Sequence, residues 1–334
     1  MNDRWLRQLL LAAAASATLF ITVAFTVGQT FGAFTRTATN GGDNFSAASD
    51  FFRFASGSYT GNGVDSRAIS GVGFRPALVL IKGNSTALGV GRTSTMSGDA
   101  TKPLSGGGAL TANQIQSLDS DGFTIGTNAS VNTSGTAYQW AAFASGVEMK
   151  VGSYTGNGSA SHAITGVGFQ PETLLVLPAT AQTAVMRSTG MTTTFPLGAG
   201  TGATNQIDSL NADGFTLGNS AVTNASGAAY HYIAFDSASG ISRAGTYTGS
   251  GADNRAVTGV GFQPRFLLAR ANDTATSRRA LWRTSSLSGD ATLSFTGTAN
   301  AANLIQALQT DGFQVGTDGN VNASAITYHL LAVG

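Results

Sequence analysis

The chain has 334 residues, of which 10% are charged, with a net charge of +1 and no cysteine. So small and balanced a charge gives no field to gather nucleic acid, and the lack of thiols excludes disulfides, thiolate zinc sites and cysteine nucleophiles. Packing and backbone pairing must hold it together, and the length suits two or three ordinary domains.

In chain order, Arg4 and Arg7 come first, ahead of an uncharged run from Gln8 to Thr35 whose apolar heart is Leu9 to Val27. That is close to the roughly 20 residues that span a bilayer, and it also suits a long signal-peptide core. We therefore expect residues 1–33 to be a signal peptide or membrane anchor, with the basic end cytoplasmic and the rest exported. Residues 34–56 read as a linker or donor-strand segment, because Phe45, Phe51, Phe52 and Phe54 stand out in an otherwise polar stretch. The segment TFGAFTRTATNGGDNFSAASDF, Thr30 to Phe51, resembles the signal and mature start of camelysin- and TasA-like exported fibre proteins. That resemblance implies export across one membrane to the cell surface or medium.

From Gly57 the sequence repeats itself. GSYTGNG at Gly57 returns at Gly152 and, as GTYTGSG, at Gly245, offsets of 95 and 93 residues. A period of this size is that of an independent domain rather than of a solenoid turn. We take three units, residues 57–151, 152–244 and 245–334. Within each, a short apolar run bounded by proline and polar turns (LVLI at Leu78, LLVL at Leu174, FLLA at Phe266) reads as a strand buried on both faces. The closing stretch alternates, with Tyr230, Tyr232 and Ala234 on one face and His231, Ile233 and Phe235 on the other. Turn clusters recur between these elements, and the I-x-x-L of Ile115 and Leu118 reads as one isolated helical turn. The expected class is all-β: three tandem antiparallel β-sandwich, jelly-roll-like repeats behind one N-terminal hydrophobic helix.

Each unit also carries GVGFRP or GVGFQP, at Gly71, Gly166 and Gly259. The glycines permit backbone angles closed to other residues, the phenylalanine can enter the core, and the proline launches the next strand, so the phrase reads as a corner. A phosphate loop would need a helix after it, and a strand follows instead. The order SYTGNG, GVGFQP, DGF and VN-x-SG-x-x-Y resembles a repeated domain of phage tail and prophage-like structural proteins, a domain without an assigned activity. The resemblance implies a structural or receptor-binding component. In that family a Trp or Tyr and an Asp accompany a central Arg; here Trp282 precedes Arg283, but Met186 precedes Arg187, Gly91 precedes Arg92, and the Asp is missing.

Arg92, Arg187 and Arg283 share one slot and suit either a ligand-facing guanidinium or, the reading we favour, a hub for loop carbonyls. Arg67, His162 and Arg255 share another, just ahead of the corner; we expect it on a loop, read first as a solvated surface position and, as the best exposed candidate, as a contact for an anionic or sugar ligand. Asp121, Asp213 and Asp311 read as Asx-type turns, and Asn132, Asn224 and Asn322 as left-handed hairpin residues within N-x-S triplets that are glycosylation acceptors in a suitable host. His231 and His329, where the first unit has Gln139, read as packed, hydrogen-bonded histidines. No catalytic motif, metal site or cofactor site emerges.

The sequence thus points to an exported, non-enzymatic cell-surface adhesion protein recognising a surface glycan or a neighbouring surface protein through three weak carbohydrate-binding sites. Arg67, His162, Arg255, Arg92, Arg187, Arg283 and Trp282 are the candidate ligand-binding residues. The alternatives are a subunit of a homo-oligomeric fibre or surface layer built by strand addition, and a polysaccharide-degrading enzyme. Nucleic acid is not an expected partner, and membrane contact is expected only through residues 1–33.

Overall fold

The computed structural model describes residues 38–40, 43–45, 52–237 and 240–334. The expected signal or anchor segment lies outside the described residues, as does Phe51 of the donor-strand segment. Two compact units divide the chain, residues 1–49 and 50–334. The first contributes a short antiparallel hairpin, β1 (Ala38–Asn40) with β2 (Asp43–Phe45). No helix among the described residues is long and apolar enough to cross a membrane.

The second unit is three copies of one all-β arrangement. Repeat 1 contains β3 (Phe54–Thr60), β4 (Arg67–Ser70), β5 (Leu78–Gly83), β6 (Val90–Thr93), β7 (Lys102–Pro103), β8 (Ile115–Asp119), β9 (Gly122–Ile125), the one-turn helix α1 (Ala129–Asn132) and β10 (Ala137–Phe143). Repeat 2 runs through β11 (Met149–Thr155), β12 (His162–Thr165), β13 (Thr173–Pro178), β14 (Val185–Ser188), β15 (Phe195–Pro196), β16 (Ile207–Asn211), β17 (Gly214–Leu217), α2 (Ala221–Asn224) and β18 (Ala229–Phe235). Repeat 3 follows with β19 (Ser242–Thr248), β20 (Arg255–Thr258), β21 (Phe266–Ala271), β22 (Leu281–Thr284), β23 (Leu293–Ser294), β24 (Ile305–Gln309), β25 (Gly312–Val315), α3 (Gly319–Asn322) and β26 (Thr327–Val333). The opening strands begin at Phe54, Met149 and Ser242, three residues ahead of the glycines that mark the repeat in sequence.

In every repeat a five-stranded antiparallel sheet, in repeat 1 ordered β3-β10-β5-β6-β7, faces a three-stranded one ordered β4-β9-β8. Between them lies the repeat's own core, in repeat 1 Val79, Ile81, Ile115, Phe123, Tyr138 and Trp140 among others. Ile115 and Leu118 are in strand β8, which a bulge between Ile115 and Ser117 lets place both inward. Their i, i+3 spacing therefore comes from an interrupted strand and not from a helical turn.

The opposite faces of the three large sheets meet in a second core shared by all repeats. Phe143 of repeat 1 packs edge-on against Phe235 of repeat 2, centroids 5.9 Å apart, and against Phe266 of repeat 3 at 5.1 Å. This is why LVLI and its counterparts are apolar at every position: β5, β13 and β21 are buried along their whole length, one face in their own sandwich and the other in the shared core. The Tyr230 and His231 faces of β18 divide in the same way, Tyr232 and Ala234 joining the repeat's core and Ile233 and Phe235 the shared one. A void of about 20 Å³ lies at the centre, walled entirely by Leu, Ile and Phe. A space that could seat one water but offers it no polar partner stays dry.

Phe52 and Phe54 are buried in this shared core, with Phe54 5.0 Å from Phe143. The end of the expected linker is thus the start of repeat 1, and those two phenylalanines serve their own chain rather than a neighbour's sheet.

Candidate functional site

The GVGF corner is a receptor for the chain's own carboxylate. Gly71 and Gly73 have φ of +82° and +86°, and a Cβ at either would meet open space, so backbone angle and not crowding demands glycine. This geometry turns both amides toward Asp121, whose Oδ2 and Oδ1 accept from them at 3.1 and 2.6 Å. Asp213 receives Gly166 and Gly168 at 3.0 and 2.7 Å, and Asp311 receives Gly259 and Gly261 at 3.0 and 2.7 Å. The aspartates therefore do more than shape their own turn: each ties one end of the three-stranded sheet to the corner. The paired amides hold the Asp213 and Asp311 carboxyls below the ordinary carboxylate range.

The asparagines read as hairpin residues are instead the last residues of α1, α2 and α3, fully buried and right-handed. Asn132 Oδ1 accepts from Asn62 N at 2.9 Å, while its Nδ2 donates to the carbonyls of Val64 at 2.7 Å and Gly126 at 2.9 Å. Asn224 and Asn322 do the same for Asn157, Ser159 and Gly218, and for Ser250, Ala252 and Gly316. With those amide hydrogens committed in the interior, the N-x-S triplets are not glycan acceptors in the folded chain. Beside each asparagine two tyrosines stack, Tyr59 on Tyr138, Tyr154 on Tyr230 and Tyr247 on Tyr328, at 5.1–5.2 Å. Their hydroxyls reach the helix carbonyls, Tyr59 to Val131 and Tyr138 to Ala129 at 2.8 Å.

The consequence is one rigid loop displayed three times. Residues 62–66, 157–161 and 250–254 are exposed throughout, yet their backbone is pinned from below by the buried asparagine. Ser66, Ser161 and Asn254 take the same left-handed angle, φ 54–62°. The glycine entering each loop is forced by contact: a Cβ on Gly61, Gly156 or Gly249 would lie 2.0–2.3 Å from the carbonyl oxygen of Thr133, Ala225 or Ala323.

Arg67, His162 and Arg255 stand at the base of these loops, as first residues of β4, β12 and β20 rather than on a loop, and half-buried. Arg67 lies over the Tyr59 ring at 5.1 Å and donates to Thr60 O at 2.6 Å. Arg255 lies over Tyr247 at 5.6 Å and donates to Asn322 Oδ1 at 3.2 Å, and His162 meets the same acceptor in repeat 2, Asn224 Oδ1, at 2.9 Å. Each is a flat donor set against a tyrosine, the two arginines over the ring and His162 edge-on to Tyr154 at 6.1 Å.

Arg92 spends both terminal nitrogens on the fold: Nη1 donates to the carbonyls of Ala100 and Ile115, and Nη2 to Met96 at 3.2 Å and Gly98 at 2.5 Å. Arg283 repeats the pattern on Ala291, Ile305, Leu287 and Gly289. Among the described residues Arg187 keeps one bond, to Ile207 O at 2.7 Å. Burial pulls all three guanidinium pKa values down. Trp282 is 0% exposed and fills the shared core against Phe266 and Phe295, so it cannot meet a ligand at the surface.

Gln139, His231 and His329 occupy the seams between repeats, a placement no local pattern announces. His231 Nδ1 shares a hydrogen bond of 2.8 Å with Thr95 Oγ1 of repeat 1, and Gln139 Oε1 accepts from Ser286 of repeat 3 at 3.3 Å. The residue matching Thr95 and Ser286 in repeat 2 is Gly190, which has no hydroxyl, so His329 is buried against it without such a partner. Burial, joined by the Arg92 charge, lowers His231 to about 4; burial likewise takes His329 to about 4, against the pull of the Thr189 backbone. Among the described residues no group of three or more His, Asp or Glu could hold a metal ion.

A family model described as a domain of unknown function (DUF7483) matches residues 12–148, the stretch that ends with repeat 1. No curated protein matches the chain. No solved structure matches it either.

Proposed function

We propose that the protein is a non-enzymatic recognition module of the cell surface, exported by its N-terminal segment, in which the exposed loops 62–66, 157–161 and 250–254 are three binding edges for surface glycans. The observation that carries this reading is their rigidity: hydroxyl- and amide-bearing loops held in one conformation by a buried asparagine. Loops already ordered lose little entropy on binding, and three of them on one body act at high effective concentration even when each contact is weak. Arg67, His162 and Arg255 contribute as supports of these loops, with the spare N–H groups of the two arginines at the loop margin.

A glycan array probed with the intact chain tests this. We expect binding that falls at least about tenfold when the exposed residues of one loop are exchanged for alanine and glycine, and further with each additional loop. Silence across neutral and acidic glycans, with ordered filaments in electron micrographs of the same sample, would replace recognition by assembly as the role.

A further inference from the structure

Repeat 1 differs from the others beside its arginine hub. A cleft of about 220 Å³ opens there between β6 with the turn that follows it and β8, with Arg75, Arg92, Ser94, Met96, Gln116 and Ser117 among its walls. A space of this size suits a monosaccharide-scale group rather than a drug-sized ligand. Arg92 is 6% exposed, and with its terminal nitrogens engaged by four carbonyls its Nε–H is the one donor left, enclosed and without a partner.

Arg75, at the rim, is exposed and makes no hydrogen bond or ion pair with the described residues. Its counterparts, Gln170 and Gln263, donate to the carbonyls of Leu210 and Leu308 at 3.0 and 3.2 Å, stitching the corner to the three-stranded sheet. In repeat 1 that stitch is missing. Of the nearby carboxylates, Asp99 accepts from Asn113 N at 2.8 Å and its charge also acts on Arg92, while Asp119 accepts from the hydroxyls of Ser117 and Thr124, each at 2.8 Å. Neither forms a salt bridge with Arg75 or Arg92. On the far wall Gln116 is bonded to Asp65 of the exposed loop at 2.9 Å, so the cleft adjoins one of the three proposed binding edges.

We infer that this cleft is a subsite for one oxyanion-bearing sugar residue, a uronic acid or a sulfated sugar, with Arg75 as the movable clamp and Arg92, held in place by its four carbonyls, as the fixed positive wall. It rests on the glycan-recognition reading above and gives repeat 1 a preference that repeats 2 and 3 lack. A planar guanidinium matches a carboxylate or sulfate with two parallel N–H bonds, a fit a neutral hydroxyl cannot reproduce.

Calorimetric titration of the intact chain with D-glucuronate, glucose 6-sulfate and neutral glucose tests it. We expect a dissociation constant on the order of 1 mM for at least one acid, with glucose at least about tenfold weaker. The two acids separate carboxylate from sulfate as the natural group. Arg75→Gln, which installs the residue of repeats 2 and 3, should keep the melting temperature and weaken the acid at least about tenfold. Equal binding of glucose, or unchanged affinity in the variant, overturns the inference. Array binding of neutral glycans without any glucuronate or sulfate response would sink this subsite alone; a silent array with glucuronate bound would instead sink the multivalent reading.

Discussion

The two faces of each five-stranded sheet follow different rules. The side toward the repeat's own sandwich is written almost identically three times: a tyrosine pair on the sheet and, across from it, a buried asparagine closing the short helix and an aspartate clasped by two glycine amides. The face toward the shared core is not. At one register position it carries Gly91, Met186 and Trp282, opposite Leu80, Leu175 and Leu268. A Cβ on Gly91 would already lie 3.1 Å from Leu80 and 3.3 Å from Leu104, so the small residue and the large one are complementary parts of one filling. At the next strand Lys102, Phe195 and Leu293 correspond, and Lys102 Nζ closes a seam by donating to Gly108, Thr180 and Gln182 carbonyls at 2.5–2.9 Å. Repetition governs what each copy needs to fold as a sandwich, and divergence governs how the copies fit one another.

The strongest way to break this comparison is to remove repeat 3, residues 242–334, and with it a third wall of the shared core. We expect the truncated chain to aggregate on size-exclusion chromatography under conditions where the intact chain elutes as one species, since Phe54, Phe143 and Phe235 become exposed together. A truncated chain that elutes as the intact chain does and melts cooperatively would show that the repeats are self-sufficient. Next in size, Trp282→Ala should cost about 3–5 kcal/mol in chemical denaturation, and Met186→Ala about 2–4 kcal/mol, because the site collapses poorly. By contrast Asn132→Ala, Asn224→Ala and Asn322→Ala should cost about the same as one another, on the order of 2–3 kcal/mol, since each strands the same loop groups. Unequal costs among the three would contradict an equivalent inner face.

Acidification sharpens the same contrast. His231 and His329 titrate near 4 in the folded chain and near 6.5 when unfolded, so between those values the unfolded state binds more protons. Stability should therefore fall as pH drops from about 6.5 to about 4, by on the order of 3 kcal/mol per histidine, and these two groups add little further below that. His231→Gln, which copies Gln139, should remove its part of the slope in urea midpoints measured across that range. The Asp213 and Asp311 clasps act lower: their pKa values are depressed, so their contribution persists above the ordinary carboxylate range and is lost only as pH falls through the lowered values. Smallest is Thr95→Ala, which removes one seam hydrogen bond and should cost about 1 kcal/mol.

Much of this architecture is legible in the sequence because short strands advertise themselves. The offsets of the GSYTG motif, the fully apolar LVLI runs and the alternation along Ala229–Phe235 suffice for three β-sandwiches. The doubly buried runs even contain the shared core, since a strand with a polar face to solvent would not be apolar at every position. What stays hidden is pairing across distance. Asp121 and Gly73 are 48 residues apart, and nothing local tells the aspartate to leave its own turn for the corner. Trp282 beside Arg283 suggests a ligand platform by residue type, and only the packing of three sheets assigns it to the interior. The slot of Arg67, His162 and Arg255 misleads for a related reason: its preference for donors reflects a tyrosine beneath it and an acceptor beside it, both supplied from other strands.

The closure of three sandwiches around one core within a single polypeptide also has a consequence for concentration. Three separate chains packed in this way would fall apart on dilution by mass action, whereas here the covalent links at residues 144–148 and 236–241 keep the partners together at any concentration. A module released into a large volume, one molecule at a time, would keep its three loops in fixed geometry.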